Sequence, residues 1–131
     1  MPTRILVVED HRDSREILAF MLRSMGYEVI EAANGQEAIE KAGAEEPDSI
    51  IMDLGLPGIN GIEATVKLKQ DPKTAHIPVI AHSAWSEQQY RAAALRAGMV
   101  EYLPKPTSPA VFREVLQKIL QTQQVRLATR R

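Results

Sequence analysis

One short segment, residues 49–54, places the strongest constraint on the fold of this 131-residue chain. It reads Ser-Ile-Ile-Met-Asp-Leu, an apolar run that ends at the carboxylate of Asp53, and turn residues lie on both sides of it, at 47–48 and 55–58. An Ile-rich run of this length is typical of a strand that is buried on both faces of a parallel sheet. We therefore expect Asp53 to lie where a core strand meets a loop, at the edge where open α/β folds bind their ligands.

Four further short runs have strand character, and segments with helical periodicity separate them. The predicted strands are 5–8, 27–32, 49–54, 78–82 and 100–103. The clearest apolar stripe of a helix runs from Val111 to Leu120. Five strands that alternate with five helices predict a three-layer α/β domain with a five-stranded parallel sheet.

Two of the helix assignments depend on capping signals. The segment after Asn60 alternates apolar and polar residues like a strand, but Asn60 and Glu63 have the spacing of a capping box, so a helix is predicted. Ser86 and Gln89 have the same spacing and are predicted to open the following helix.

The composition indicates a single soluble domain. Apolar residues make up 44% and charged residues 25% of the chain, and a net charge of −1 gives no electrostatic case for binding nucleic acid or a membrane. The absence of cysteine excludes disulfides, thiolate metal sites and cysteine nucleophiles. No segment resembles a signal peptide or approaches the roughly 20 apolar residues of a membrane span, so we expect a cytoplasmic protein. The three histidines, His11, His76 and His82, lack metal-ligand spacing and are expected to be surface or strand-end residues.

Polar side chains follow four of the predicted strands. Glu9 and Asp10 follow the first, Asp53 ends the third, Ser83 follows the fourth and Lys105 follows the fifth. Two carboxylates ~4 Å apart repel each other by roughly 4 kcal/mol at an effective dielectric constant near 20, and a hard cation such as Mg²⁺ relieves this repulsion. Carboxylates, Mg²⁺, a lysine and a hydroxyl together form a site for a phosphoryl group, in which an aspartate can itself be the nucleophile. The alternative is that these are five solvated loop residues.

Four sequence blocks resemble a two-component response-regulator receiver domain. They are Ile5–Asp10, Met52–Gly61, Ile80–Ala84 and Tyr102–Pro106, in the order and at the spacing of that family. The resemblance runs from about Arg4 to Leu120. It implies a flavodoxin-like, doubly wound (βα)5 fold with strand order 2-1-3-4-5. Residues 1–120 would be the receiver domain, and residues 121–131 a helix extension, a tail or a truncated linker.

The resemblance also implies a role for each site residue. Asp53 would be the phospho-acceptor, taking the phosphoryl group from a sensor histidine kinase or a histidine phosphotransfer protein. Glu9, Asp10, Asp53 and the main-chain carbonyl of Gly55 would hold Mg²⁺, with Mn²⁺ as an expected substitute. Lys105 would pair with the phosphoryl group, and its bond to Pro106 would be cis.

The implied switch involves two residues near the acceptor. Ser83 would move toward the phosphoryl oxygens, and Tyr102 would rotate inward behind it. This pair would signal to the face formed by the fourth helix, fifth strand and fifth helix, where a downstream target or output domain would bind. Such a protein is a phosphorelay switch rather than a classified enzyme, and it would contact neither nucleic acid nor membrane.

Five features depart from the family's commonest pattern. Ser83 stands where threonine is frequent, and Gly55 has no side chain near the metal loop. Trp85 is bulky, and we hypothesise that it shields the acyl phosphate from water; the alternative is an exposed loop aromatic. Thr107 and the pair Val100-Glu101 differ from the large transcription-factor subfamilies, so dimerisation in their manner is not favoured.

Three other functions fit parts of the sequence. A receiver-like module that docks a partner without phosphorylation remains open. A phosphohydrolase with an aspartyl-phosphate intermediate would typically carry a second aspartate at position 55, which is glycine here. A flavodoxin-like cofactor binder would need a phosphate loop after the first strand, where Asp10-His11-Arg12-Asp13 would instead repel phosphate.

Overall fold

The computed structural model describes residues 2–85 and 87–129, with side chains up to residue 123. Strands and helices alternate along this part of the chain. The strands are β1 (Arg4–Val8), β2 (Glu28–Ala32), β3 (Ser49–Met52), β4 (Val79–Ser83) and β5 (Glu101–Pro104). The helices are α1 (Arg12–Ser24), α2 (Gly35–Glu45), α3 (Gly61–Gln70), α4 (Gln88–Ala97) and α5 (Pro109–Thr129).

The five strands form one parallel sheet in the order β2-β1-β3-β4-β5. This confirms the predicted fold class and strand order. In the sheet register Val8 lies opposite both Ala32 and Met52, and Ser83 lies opposite Pro104. The loops that follow β1, β3, β4 and β5 therefore leave the sheet at the same edge.

Alternate strand residues build two separate apolar layers. Ile50 and Met52 of β3 face α2, α3 and α4, whose buried apolar residues are mostly alanines. Ile51 faces α1 and α5, which contribute larger side chains such as Phe112. Because β3 lies in the centre of the sheet, it buries both of its faces. This position explains the apolar run at residues 49–54.

The start of α3 confirms the helix that the capping signal predicted. The Asn60 side chain accepts the Glu63 N–H (2.9 Å), and the Glu63 carboxylate accepts the Asn60 N–H (3.1 Å). Ala64 and Leu68, four residues apart, are buried on one side of this helix. The strand-like alternation in the segment was therefore a weaker signal than the capping box.

The start of α4 differs from the sequence expectation, and the end of α5 lies in residues 121–131, for which a helix extension is one of the predicted alternatives. Helix α4 begins at Gln88 with Glu87 as its N-cap, while Ser86, the predicted cap, lies outside the described residues. Helix α5 continues to Thr129. The domain boundary at residue 120 stays a prediction. Among the described residues, no helix has both the length and the apolar character needed to cross a membrane.

Helix α3 begins in direct contact with the end of β3. The Gly61 N–H donates to the Leu54 carbonyl (3.0 Å). A Cβ atom at position 61 would lie 2.1 Å from the Asp53 carbonyl oxygen. Glycine is therefore the residue that lets α3 start against the segment that carries Asp53.

Candidate functional site

Lys105 bridges two buried carboxylates at the carboxyl edge of the sheet. Its Nζ donates to Glu9 Oε1 (2.6 Å) and to Asp53 Oδ2 (2.8 Å). The two acidic side chains are only 6% and 10% exposed, and that of Lys105 is 25% exposed. Burial lowers the pKa of Lys105, but its hydrogen bonds to Asp53 and Glu9 and their negative charges outweigh burial and raise the pKa above its ordinary value. The lysine is thus charged at neutral pH and neutralises one of the two carboxylates.

Backbone hydrogen bonds hold this cluster in place. Beyond the strand ends, N–H groups donate to carbonyls of the neighbouring segment: Glu9 to Ala32 (3.1 Å), Asp53 to Val8 (3.1 Å) and Lys105 to Ser83 (3.0 Å). The peptide bond between Lys105 and Pro106 is cis. The charged residues therefore sit on rigid continuations of the strands, which fixes the directions of their side chains.

The carboxylate of Asp10 lies beside that of Glu9. One Asp10 oxygen, Oδ1, is buried and has no hydrogen-bond partner. One ligand atom from each of Glu9, Asp10 and His11 lies within 4.8 Å of the others. Buried carboxylate oxygens without a protein donor suit a hard divalent cation. The residues present therefore fit the magnesium site that the sequence predicts, with His11 as an unexpected neighbour.

The acceptor candidate Asp53 has a partner for each oxygen. Oδ2 accepts from Lys105, and Oδ1 accepts the Gly55 N–H (3.1 Å). The structure thus brings Glu9, Asp53 and Lys105 into direct contact and places the Gly55 backbone next to Asp53. Their roles in binding metal or phosphoryl groups stay predictions.

The two predicted switch residues lie on the same face of neighbouring strands. In the register of β4 and β5, Ala81 pairs with Tyr102, and Ser83 lies two residues further toward the site. Both side chains are buried, and the Tyr102 hydroxyl has no hydrogen-bond partner. Burial raises the pKa of Tyr102. The guanidinium of Arg91, from α4, lies 4.9 Å from the centre of the Tyr102 ring, so this ring connects the site to α4.

Trp85 packs against the loop that follows Asp53. Its main-chain N–H donates to Ser83 Oγ (3.0 Å), and its ring lies 4.8 Å from that of Tyr90. A Cβ atom at Gly55 would lie 3.3 Å from Trp85 Cζ2, so the indole occupies the space beside a residue that has no side chain. Trp85 is partly buried in this position.

His82 belongs to the site region in a way that the sequence did not indicate. Its ring meets Phe112 edge to face, with centroids 5.0 Å apart, and its Nε2 is buried without a partner. Burial and the positive charge of Lys105 lower the pKa of His82 to about 4, although Asp53 and Glu9 act in the opposite direction. A neutral histidine therefore lies close to the charged cluster. The strand period places His82 on the α1–α5 side, but only the packing reveals its desolvation.

The sequence matches known proteins along almost its entire length. The family model of the response regulator receiver domain matches residues 5–126. The polar-differentiation response regulator DivK of Brucella anthropi is 35% identical over 120 residues, which are 92% of this chain and 98% of DivK. The phosphate regulon transcriptional regulatory protein PhoB of Pseudomonas aeruginosa is 38% identical over 116 residues, which are 88% of this chain and 51% of PhoB.

Solved structures agree with these matches. The receiver domain of the sensor histidine kinase PA1611 from Pseudomonas aeruginosa, solved with a magnesium ion coordinated in its active-site cleft, superposes with a TM-score of 0.86 at 35% identity. The alignment covers 92% of this chain and 99% of that domain. A CheY-like receiver domain protein from Methanospirillum hungatei has a TM-score of 0.90 at 25% identity, over 96% of this chain and 99% of that one. By sequence, fold and strand order, the chain belongs to the response regulator receiver domain family of two-component signalling.

Proposed function

We propose that this receiver domain changes state when Asp53 accepts a phosphoryl group from a sensor histidine kinase or a histidine phosphotransfer protein. The observation that carries the proposal is the buried Asp53 carboxylate held between the Lys105 ammonium and the Gly55 N–H. In the transfer, an Asp53 oxygen forms a bond to phosphorus as the phosphorus–nitrogen bond of the donor histidine breaks. The electron pair of that broken bond stays on the imidazole.

Lys105 and Ser83 have complementary roles in this reaction. Transfer leaves additional negative charge at Asp53, and Lys105 already lies 2.8 Å from one of its oxygens. The ammonium would shift from Asp53 and Glu9 to the phosphoryl oxygens and compensate their charge. The Ser83 hydroxyl would donate a hydrogen bond to another phosphoryl oxygen.

We propose Glu9, Asp10, Asp53 and the main-chain carbonyl of Gly55 as the ligands of Mg²⁺. The partnerless, buried Oδ1 of Asp10 supports this assignment, as does the magnesium ion in the related PA1611 receiver. When bound, the ion supplies positive charge that stabilises the transferring group. Mn²⁺ is expected to substitute, because carboxylate and carbonyl oxygens suit both ions.

We propose that phosphorylation changes the surface formed by α4, β5 and α5, where a downstream target or output domain binds. Ser83 and Tyr102 lie on one face of adjacent strands, and Arg91 of α4 rests on the Tyr102 ring. A movement of Ser83 toward the phosphoryl group would change the packing of Tyr102 and then of α4. A downstream target or output domain that binds one arrangement better than the other would read this change.

This proposal describes a cytoplasmic phosphorelay switch that modifies its own side chain rather than an enzyme with a separate substrate. The receiver is assigned to residues 1–120, and residues 121–131 are assigned to an extension or linker.

Intact mass measurement tests the proposal directly. The full chain is incubated with Mg²⁺ and acetyl phosphate beside Asp53→Asn and a control, Asp71→Asn, which changes an exposed carboxylate near the opposite edge of the sheet. We expect a phosphate-sized gain that requires Mg²⁺, persists in the control and disappears in Asp53→Asn. If no gain occurs and beryllofluoride with Mg²⁺ leaves the fluorescence of Trp85 unchanged, the proposal fails and a docking module that is never phosphorylated becomes the better assignment.

A further inference from the structure

The side chain of His11 is directed toward the acidic pair beside it. Its Nδ1 lies 3.4 Å from Asp10 Oδ1 and 3.6 Å from Glu9 Oε2. The imidazole is otherwise exposed, with 76% of its side-chain surface accessible. Thus one imidazole nitrogen and two carboxylate oxygens face a common point at the surface end of the site.

These separations are those of ligands around one metal ion. Two donors that each lie ~2.1 Å from an ion are roughly 3.4 Å apart at a tetrahedral angle and roughly 3.0 Å apart at a right angle. The contact between His11 and Asp10 is not a hydrogen bond, since Asp10 Oδ1 is buried and has no hydrogen-bond partner.

The two oxygens of Glu9 have separate partners. Oε1 accepts from Lys105 (2.6 Å), whereas Oε2 faces His11 and accepts the His11 main-chain N–H (3.3 Å). Glu9 can therefore keep its contact with Lys105 while its second oxygen faces a cation. His11 would therefore add one nitrogen to the oxygen donors already proposed for this site.

This donor set changes which ion the site favours. Mg²⁺ prefers oxygen ligands and retains several waters, whereas first-row transition metals bind imidazole well. We propose that His11 is a ligand of the metal site and that the site therefore binds a divalent transition metal more tightly than Mg²⁺. This inference rests on the proposed metal site but not on phosphorylation.

Calorimetric titration of the full chain with Co²⁺ and with Mg²⁺ tests the inference. We expect the wild type to bind Co²⁺ more tightly than Mg²⁺. His11→Ala should weaken Co²⁺ binding about tenfold or more, the range for losing a supporting group at a metal site, while Mg²⁺ binding changes little. His76→Ala, which removes an exposed histidine in the segment before β4, is the matched control and should change neither affinity.

A spectroscopic readout identifies the ligand atom. Pulsed electron paramagnetic resonance of the Mn²⁺-loaded chain should show coupling to a nitrogen nucleus that disappears in His11→Ala. The inference is overturned if Co²⁺ binds no more tightly than Mg²⁺, if His11→Ala weakens both ions equally, or if no nitrogen coupling is seen. Asp10→Asn separates the two proposals. If this variant loses Mg²⁺ binding while His11→Ala has no effect, only the inference fails; if the wild type binds neither ion, the proposed metal site fails as well.

Discussion

The two edges of the sheet use charged side chains in opposite ways. At the amino edge, Lys69 donates to the carbonyls of Ala75 (2.9 Å) and Ile77 (2.6 Å), and the Arg4 N–H donates to the carboxylate of Asp48 (2.8 Å). At the carboxyl edge, the charged groups Glu9, Asp53 and Lys105 face one another. The amino edge therefore satisfies backbone groups, while the carboxyl edge concentrates charge that a ligand can meet.

From this difference we infer that the amino edge contributes to stability and that the carboxyl edge serves the proposed function. Contacts at the amino edge hold the loop before β4 and the start of β1, and we expect them to contribute to folding only. The carboxyl edge has two buried carboxylates for one lysine, an arrangement that limits stability and that we propose as the site for a cation and a phosphoryl group. The following substitutions test that division, from the largest expected effect to the smallest.

Removing the positive charge at the carboxyl edge should have the largest effect on stability. Lys105→Met leaves Glu9 and Asp53 buried and unpaired, so we expect the free energy of unfolding to fall by about 3 kcal/mol. Urea denaturation without divalent cations measures this loss, and added Mg²⁺ should recover part of it. Lys73→Met, an exposed lysine near the amino edge, serves as the control. Equal stability of the two variants would contradict the division between the edges.

Acid should weaken the carboxyl edge through His82. The folded-state pKa of His82 is about 4, below the ordinary value of 6.5, so the unfolded chain takes up a proton first as the pH falls. The stability contributed by neutral His82 is present above pH 6.5 and is lost as the pH falls toward 4, by on the order of 2 kcal/mol. Denaturation curves from pH 7 to 4 should show a steeper loss for the wild type than for His82→Leu. Parallel pH dependence of the two proteins would show that His82 does not titrate in this way.

A substitution at the amino edge should change stability alone. Lys69→Met removes the donor of two carbonyls in the loop before β4, and we expect a loss of about 1–2 kcal/mol in the free energy of unfolding. The yield of phosphorylated protein with acetyl phosphate should stay unchanged. Lys67→Met, which changes an exposed lysine on the same helix, should affect neither quantity. A lower yield at unchanged stability would break the proposed division.

Trp85 should affect only the lifetime of the modified state. Its indole lies beside Gly55, next to the proposed acceptor, and by our hypothesis it would restrict the approach of water to a phosphorylated Asp53. Trp85→Ala should speed dephosphorylation severalfold, as followed by the decay of the phosphorylated mass, whereas Trp85→Phe keeps a ring in place and should have a smaller effect. An unchanged decay rate in Trp85→Ala would end the shielding hypothesis.

Much of the fold could be predicted because its signals are local. The apolar run before Asp53 belongs to one central strand. The capping pair Asn60 and Glu63 correctly predicts that α3 is a helix, although apolar and polar residues alternate there as in a strand. The geometry of parallel sheets then predicted that Glu9, Asp53 and Lys105 would meet at one edge, where they lie within hydrogen-bonding distance.

The remaining features depend on contacts between distant segments. Whether Lys69 reaches the carbonyls of Ala75 and Ile77 depends on the path of a loop that has no strong pattern in the sequence. The neutral state of His82 depends on desolvation, and the direction of His11 depends on a side-chain rotamer. Spacing along the chain contains neither kind of information, so the sequence predicts only that His11 is a surface residue and that His82 lies at the end of a strand.

The contact between Gly61 and the Asp53 carbonyl affects how sequence variation at this site is interpreted. With 2.1 Å between that oxygen and a Cβ atom at position 61, a library selected for folding alone would retain glycine there. Invariance at position 61 would then measure the closeness of two backbone segments, whereas invariance at the proposed acceptor Asp53 would measure chemistry. A mutational scan that scores abundance and phosphorylation separately would tell the two causes apart.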